Sequence, residues 1–312
     1  MKVLDLFCGI GGLASGFAKA GFSVDGVDIS PNVQKIFALN KIGNARIADL
    51  SCTTVDGKFD LIIGGPPCKP WSAINLTKRK NKHEDYNLLT RFFHHVKYHE
   101  PFLFLMENVP PVAKDLLTLS DIEDLKAKGY SISMHAIRYS DYGAPITRRR
   151  LIVVGVREGD PEYFFQGLLN FKKPAKTVAK AIGHLSNKKF GEVPDHVYPR
   201  LRTIHKYRKY YETGKYGWYI LQWDSPAPSF GNVMKTYILH PSSWNGNEPR
   251  VISIREALLL MGFDRNFVFP KNMGMGTRYQ MVADAISPVF AYASACVIRE
   301  MVRGNDEKYS VE

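Results

Sequence analysis

A chain of 312 residues with 45% hydrophobic and 23% charged residues can bury a full core, as one large domain or two modest ones. No stretch reads as the eighteen or so apolar residues of a membrane span, and MKVLDLFCG goes straight into a strand pattern, so neither a membrane partner nor a signal or transit peptide is expected. The four cysteines, Cys8, Cys52, Cys68 and Cys296, show no paired spacing, which argues for a reduced cytoplasmic chain and against a zinc or other metal site, while the net charge of +12 suits a polyanion such as nucleic acid or, more plainly, a basic soluble surface.

In chain order, strands are expected over 2–7, 23–28, 59–63, 102–106, 132–138 and 151–156, with helices over 11–20, 31–40, 87–99 and 121–128. That alternation predicts an α/β fold, a doubly wound Rossmann-like sheet with a mostly parallel core, whose ligands sit beyond the carboxyl ends of the strands. From about residue 158 the rhythm gives way to Lys, Arg, His, Tyr, Pro and Asn without sustained period, which predicts a smaller irregular domain. A helix returns in SIREALLLMGF (253–263), where Ser253 and Glu256 fit a capping box. The closing apolar segment, 279–302, is expected to form one long helix packed back onto the first domain. The domain bounds read this way are 1–157 with 265–312 for the first and 158–264 for the second.

Function is to be sought just after each strand. In DLFCGIGGLASGF, Gly9, Gly11 and Gly12 open a helix and let a ligand approach the backbone; Asp28, ending the second strand, is positioned for a ribose hydroxyl pair. Such a turn serves NAD and S-adenosylmethionine alike, and a tight turn with a solvated Asp is the plainer alternative. Asp49 falls where a third strand would end, within reach of an adenine amino group. In GGPPCKPWS, Cys68 stands between Pro67 and Pro70 on a stiffened loop, unlike Cys8, Cys52 and Cys296, which read as inert and buried. In FLFLMENVP, Glu107 ends an apolar strand, where a carboxylate is costly unless paired or used. In TRRRLIVVG, alternation puts Arg148 and Arg150 on one face and Arg149 on the other.

In this order the motifs resemble the DNA (cytosine-5)-methyltransferase family of prokaryotic type, from Val3 to about Pro288. DLFCGIGG resembles its first motif, GGPPCKPWS its nucleophile motif, ENV at 107–109 its glutamate motif and TRRR its arginine motif; RVISIREALLLMGF and RYQMVADAISP resemble its later motifs. The chain departs from the family at Lys69 and Ile146, where glutamine is usual, and at 281–284, where Gln-x-Gly-Asn is usual.

The resemblance implies Cys68 as the nucleophile that adds to C6 of a flipped-out cytosine. Glu107 would act near N3, and Arg150 with Arg148 would hold O2. It implies S-adenosyl-L-methionine as cofactor, leaving as S-adenosyl-L-homocysteine, held by Phe7, Gly9, Gly11, Gly12, Asp28, Ile29, Asp49 and Pro67. Double-stranded DNA is the expected partner of a monomer, with a cognate restriction endonuclease encoded nearby. Its expected contacts are Ser72, Lys78, Arg79, Lys80 and Lys82 in a basic segment that reads as a lid or as a solvated charge run. Arg200, Arg202, Lys206, Arg208 and Lys209 add a basic, Tyr- and Trp-interleaved stretch that reads as target recognition. A tRNA-methylating relative is disfavoured because 158–250 contains no cysteine and hence no Cys-Phe-Thr element. A silent paralogue is disfavoured because Cys68, Glu107 and both arginines are kept. Lys69 is expected to contact backbone or the following segment rather than activate the thiol.

Overall fold

A computed structural model describes residues 1–71, 80–200, 202–215 and 217–309. Strands β1 (Lys2–Leu6), β2 (Ser23–Asp28), β3 (Asn44–Ile47), β4 (Leu61–Gly64), β5 (Leu103–Asn108), β6 (Ser131–Arg138) and β7 (Arg149–Val156) form one sheet in the order β3-β2-β1-β4-β5-β7-β6. All run parallel except β7, which lies antiparallel to both β5 and β6. The winding reverses between β1 and β4, so the crevice beyond their carboxyl ends is a topological switch point. Every residue of LIIG in β4 and LFLMEN in β5 is buried, as expected of central strands covered on both faces.

Helices α1 (Gly12–Lys19), α2 (Val33–Asn40), α3 (Leu88–His99), α4 (Leu116–Ala127) and α5 (Glu162–Leu169) connect or flank the strands. Phe92 and Phe93 of α3 pack edge-on against Phe104 of β5, with ring centroids 6.2 and 6.1 Å away. Gly155 on β7 makes room for that same ring, because a Cβ there would meet Phe104 at 2.1 Å. α4 begins a turn before the expected 121. Its cap is Asp115, whose carboxylate accepts from the Thr118 amide. Leu116, Leu117 and Leu119 are exposed, so the first turn lacks the apolar face that marks a helix in sequence.

The chain divides into two compact units. The first comprises Met1–Arg138, Arg149–Lys172 and Phe290–Glu312; the second comprises Tyr139–Arg148 and Lys173–Val289. Residues 158–172 thus go with the sheet, where Glu162 of α5 accepts hydrogen bonds from Ser133 and, at 2.9 Å, pairs with His135 of β6. Residues 265–289 go with the second unit, where Arg278 pairs with Asp195 at 2.7 Å and the Tyr279 hydroxyl donates to Ile252 O at 2.7 Å.

The closing segment forms two helices, Met275–Asp284 and Pro288–Tyr309, rather than one. The first of them has its C-cap at Ala285, which adopts ψ 150, and the second starts at Pro288, whose fixed φ suits a first helical turn. From Phe290 the second of these joins the first unit: a Cβ on Gly16 of α1 would touch Ala291 at 2.4 Å, and Arg299 donates to Ala20 O at 2.9 Å. By length and composition Met275–Arg303 could cross a membrane, against the expectation from sequence, but 72% of its most apolar window is buried within the protein. Burial in the core accounts for its apolar character.

The second unit holds short helices, Val178–Ile182, Arg208–Glu212, Val233–Thr236 and Ile254–Met261, with single bridges such as Ile220 to Leu239 and Leu239 to Val251. The capping box of Ser253 and Glu256 forms. Glu256 is wholly buried and held in its charged form by a bidentate pair with Arg250, both contacts at 2.7 Å. Trp218 gathers Tyr207, Tyr210, Tyr211 and Tyr237 at centroid distances of 4.8 to 5.9 Å into a small aromatic core.

Candidate active site

The turn after β1 takes left-handed backbone at Phe7, Gly9 and Gly11, with φ of 59, 54 and 76. The two glycines have different reasons to be glycine. Around Gly9 a Cβ would meet nothing within 4 Å, whereas at Gly11 it would strike Ile42 Cδ1 at 2.8 Å and the Phe37 ring at 3.0 Å. Gly11 is therefore a packing requirement, and Gly9 leaves open space above exposed backbone.

Asp28, at the end of β2, accepts from Gly9 N at 2.9 Å through one oxygen and from Ser30 N at 2.8 Å through the other. The carboxylate thus fixes the turn and stands at the end of β2, the position from which an acid meets a ribose diol in such folds. Ile29, next in chain, is 66% exposed, an apolar side chain at the strand end beside the turn. Asp49 is exposed just beyond β3, and hydrogen bonds from the Ser51 side chain and amide hold its carboxyl below the usual range. Gly12 is buried at the start of α1. A glycine-lined backbone, an acid for hydroxyls and an apolar face fit a nucleoside cofactor.

Beside this turn, the loop after β4 carries the predicted nucleophile. Cys68 is half-buried and Pro67 likewise. Asn108, fully buried at the end of β5, donates from Nδ2 to Pro66 O at 3.1 Å and anchors the loop on its N-terminal side. A 3-10 turn over Lys69–Trp71 follows, with Trp71 N donating to Cys68 O at 3.1 Å. The Lys69 ammonium lies 3.7 Å from Asp85 Oδ2. Cys8 and Cys296 are buried as expected, and burial raises the Cys8 thiol well above its usual range, with Asp5 and Asp28 adding to the shift. Cys52 departs from the reading as a buried cysteine: it is exposed in the turn after Asp49, its Sγ 3.6 Å from Asp49 O.

Glu107 and Arg150 are joined by the sheet order. β7 runs antiparallel to β5 and starts where β5 ends, with Glu107 opposite Ile152. Arg150, two residues before Ile152, shares its face. Arg150 Nε sits 2.9 Å from Glu107 Oε1, both side chains about nine-tenths buried. Arg150 also donates from Nη1 to Arg149 O at 2.8 Å. Arg148 is buried and Arg149 exposed, in keeping with the alternation; Arg148 falls in the second unit.

Of the expected nucleic-acid contacts, Ser72, Lys78 and Arg79 lie outside the described residues, as do the side chains of Lys80 and Arg202. Lys82, Arg200, Lys206, Arg208 and Lys209 are exposed. Arg208 pairs with Glu212 at 2.7 Å and lies over the Trp244 ring, 5.5 Å from its centroid. Two residues carrying no role in the sequence reading stand out: Asn108, inside ENV, and Asp115, a residue type favoured at helix N-caps.

A glycine turn and a loop thiol on neighbouring strand ends at a switch point are the layout of an α/β enzyme. The family model for the C-5 cytosine-specific DNA methylases matches residues 1–300, and the chain belongs to that family, the DNA cytosine-5 methyltransferases. It is 26% identical over 363 residues to the Type II methylase M.HgiDII of Herpetosiphon aurantiacus, covering 99% of this chain and 98% of the relative. It is 29% identical over 336 residues to the Type II methyltransferase M.MthTI of Methanothermobacter thermautotrophicus, covering 97% and 98%. Among solved structures, the Entamoeba histolytica methyltransferase EhMeth superposes with a TM-score of 0.75 at 17% identity, covering 96% of this chain and 98% of that one. The S. pombe Dnmt2 methyltransferase gives 0.74 at 18% identity, covering 96% and 99%. These two likenesses speak for the fold.

Proposed function

We propose that the chain methylates C5 of a cytosine flipped out of duplex DNA, within a specific sequence, through a covalent bond between Cys68 and C6. The observation that carries this reading is the buried Glu107–Arg150 pair, 2.9 Å apart on the strand end beside the loop of Cys68. A cytosine needs a nucleophile at C6, an acid near N3 and a donor for O2, and those residue types occupy adjacent strand ends.

Cytosine C5 is too weak a nucleophile to take a methyl group unaided. The Cys68 thiolate forms a bond to C6, and the ring electrons move toward N3, where Glu107, in its protonated form, supplies a proton or hydrogen bond. The enamine so formed places its electron pair on C5. S-adenosylmethionine, when bound, supplies an electrophilic methyl group. Loss of the C5 proton to water, return of the N3 proton to Glu107 and expulsion of the Cys68 thiolate then restore the aromatic ring, returning the enzyme unchanged. Arg150 has Nη2 in addition to the engaged Nε and Nη1, and Nη2 is the donor suited to O2. Arg148 is the second arginine suited to that task.

The cofactor would rest on the backbone of Phe7, Gly9, Gly11 and Gly12, with Asp28 on the ribose, Ile29 against the adenine, Asp49 at its amino group and Pro67 alongside. Lysines and arginines among 78–82 and 200–209 supply phosphate contacts, in a monomeric, cytoplasmic enzyme. The Type II names of the relatives favour the modification half of a restriction system, with an endonuclease encoded nearby.

The test is bisulfite sequencing of a bacterial host expressing the chain. Protected cytosines in one recurring sequence, absent with Cys68→Ala, are the expected result. Unmodified DNA with the wild type, or equal methylation with Cys68→Ala, defeats the reading.

A further inference from the structure

Asp115 is 3% exposed, ends the segment that follows β5, and caps α4. Its Oδ2 accepts from Trp71 Nε1 at 2.9 Å and from the Tyr86 hydroxyl at 3.1 Å, while Oδ1 accepts from Thr118 N at 3.4 Å. The Trp71 and Tyr86 rings lie against each other, their centroids 5.4 Å apart. Burial, then the charge of Asp115, raises the Tyr86 phenol above its usual range, which keeps its hydroxyl a donor. One buried carboxylate thus ties two aromatic residues fifteen positions apart in the chain to a helix start. A helix N-terminus suits a negative charge, and three donors offset the cost of burying it.

Trp71 belongs to the turn whose amide grips the Cys68 carbonyl. On the other side of Cys68, Asn108 grips Pro66. The thiol-bearing loop is therefore bracketed by two anchors, Asn108 and Asp115, both on the chain that leaves β5. Prolines stiffen the loop but do not set where it lies; the anchors do.

We infer that Asp115 is a positioning residue for the methyl-transfer reaction, holding Cys68 in attacking register through Trp71 and Tyr86. The inference rests on Cys68 being the nucleophile. A misplacement of a reacting atom by about 1 Å costs on the order of a hundredfold in rate. Loosening this anchor should therefore slow attack on C6 at saturating substrate, with cofactor and DNA affinity preserved.

The experiment measures single-turnover adduct formation on a duplex of the methylated sequence, carrying 5-fluorocytosine at the target, with S-adenosylmethionine saturating. Asp115→Ala is expected to slow the adduct roughly 10- to 100-fold. Asp115→Asn keeps a single acceptor oxygen, enough for the cap or for the aromatic pair but not both, and should recover part of the rate. Tyr86→Phe, which removes one donor and keeps the ring, and Trp71→Phe, which removes one donor and shortens the indole to a phenyl, should slow it by smaller factors. Combined with Asp115→Asn, Tyr86→Phe should add less than its effect in the wild type, because the two share one bond. Dissociation constants for DNA and cofactor should stay within about twofold, the signature of lost register rather than lost binding.

If Asp115→Ala fails to fold, Asp115→Asn and Tyr86→Phe decide the matter. Wild-type adduct rates in those folded variants overturn the inference, as does an effect confined to DNA affinity. A wild type that forms no adduct, or a Cys68→Ala enzyme that still does, overturns the nucleophile assignment itself and the inference with it.

Discussion

Arg150 Nε lies 2.9 Å from Glu107 Oε1 because β7, alone in the sheet, runs against its neighbours and begins where β5 ends. The pair is buried, so neither partner can be removed cheaply. Arg150→Ala leaves a carboxylate without its cation and should destabilise the fold by about 3 kcal/mol or more. Glu107→Gln keeps size and an acceptor and should leave the melting temperature closer to wild type while lowering turnover at least about 100-fold. Thermal melts beside methylation assays check both; equal stability losses for the two variants would contradict the account.

Gly9 and Gly11 separate cofactor binding from packing. Gly11→Ala must strain φ 76 and displace Ile42 and Phe37, so it should cost about 1–3 kcal/mol and weaken cofactor binding. Gly9→Ala meets open space and bears the backbone strain alone, about 1 kcal/mol. Its affinity for S-adenosylmethionine should nonetheless fall. Calorimetric titration together with melting temperatures would reveal the split, and an unchanged affinity in Gly9→Ala would place the cofactor elsewhere.

The Lys69 ammonium, 3.7 Å from Asp85, points to the chain ahead of α3. Lys69→Gln should therefore leave the pH profile of Cys68 alkylation where it is in the wild type. An upward displacement of that profile would mean that the lysine activates the thiol after all.

His240 is buried against Glu256 and Trp223, and burial pushes its imidazole down to about 4, although Glu256 pulls the other way. Its folded value lies below the usual 6.5, so the neutral ring contributes stability above pH 6.5 that is lost as pH falls through 4. The loss amounts to about 3 kcal/mol for the group. His95, also depressed to about 4, adds a second share in the same window. Denaturant melts from pH 7 to 4 should show a shallower decline in His240→Gln than in the wild type; identical slopes would rule His240 out as a contributor.

Arg200, Lys206 and Lys209 are exposed cations in the second unit. Each one that meets a phosphate should, when changed to alanine, reduce the slope of log affinity against log salt by about 0.9. Slopes unchanged in all three would remove this stretch from the DNA contact surface.

Much of this was legible in the residues. Apolar runs ending in Gly9, Asp28, Gly64 and Glu107 mark strand ends directly, because buried parallel strands must be continuous and apolar. Ser253 and Glu256 announced a helix start through side-chain chemistry that acts locally. What stayed hidden depended on partners distant in sequence. The Glu107–Arg150 contact needs β7 inserted between β5 and β6, an order that alternating strands and helices do not encode. Asp115 carries no apolar signal because the leucines after it face outward, and its meaning lies in Trp71 and Tyr86. Pro288 opens the second of the two closing helices, yet the apolar run around it reads as one helix because both are buried.

The central claim is a covalent bond from Cys68 to the target base. Fluorine at C5 cannot leave as a proton does, so duplex DNA with 5-fluorocytosine at the methylated position should trap that bond after methyl transfer. Peptide mass spectrometry of the trapped complex should find the methylated fluoropyrimidine on Cys68, and Cys68→Ala should trap nothing. A nucleobase on any other residue, or an equal yield from Cys68→Ala, would contradict the account.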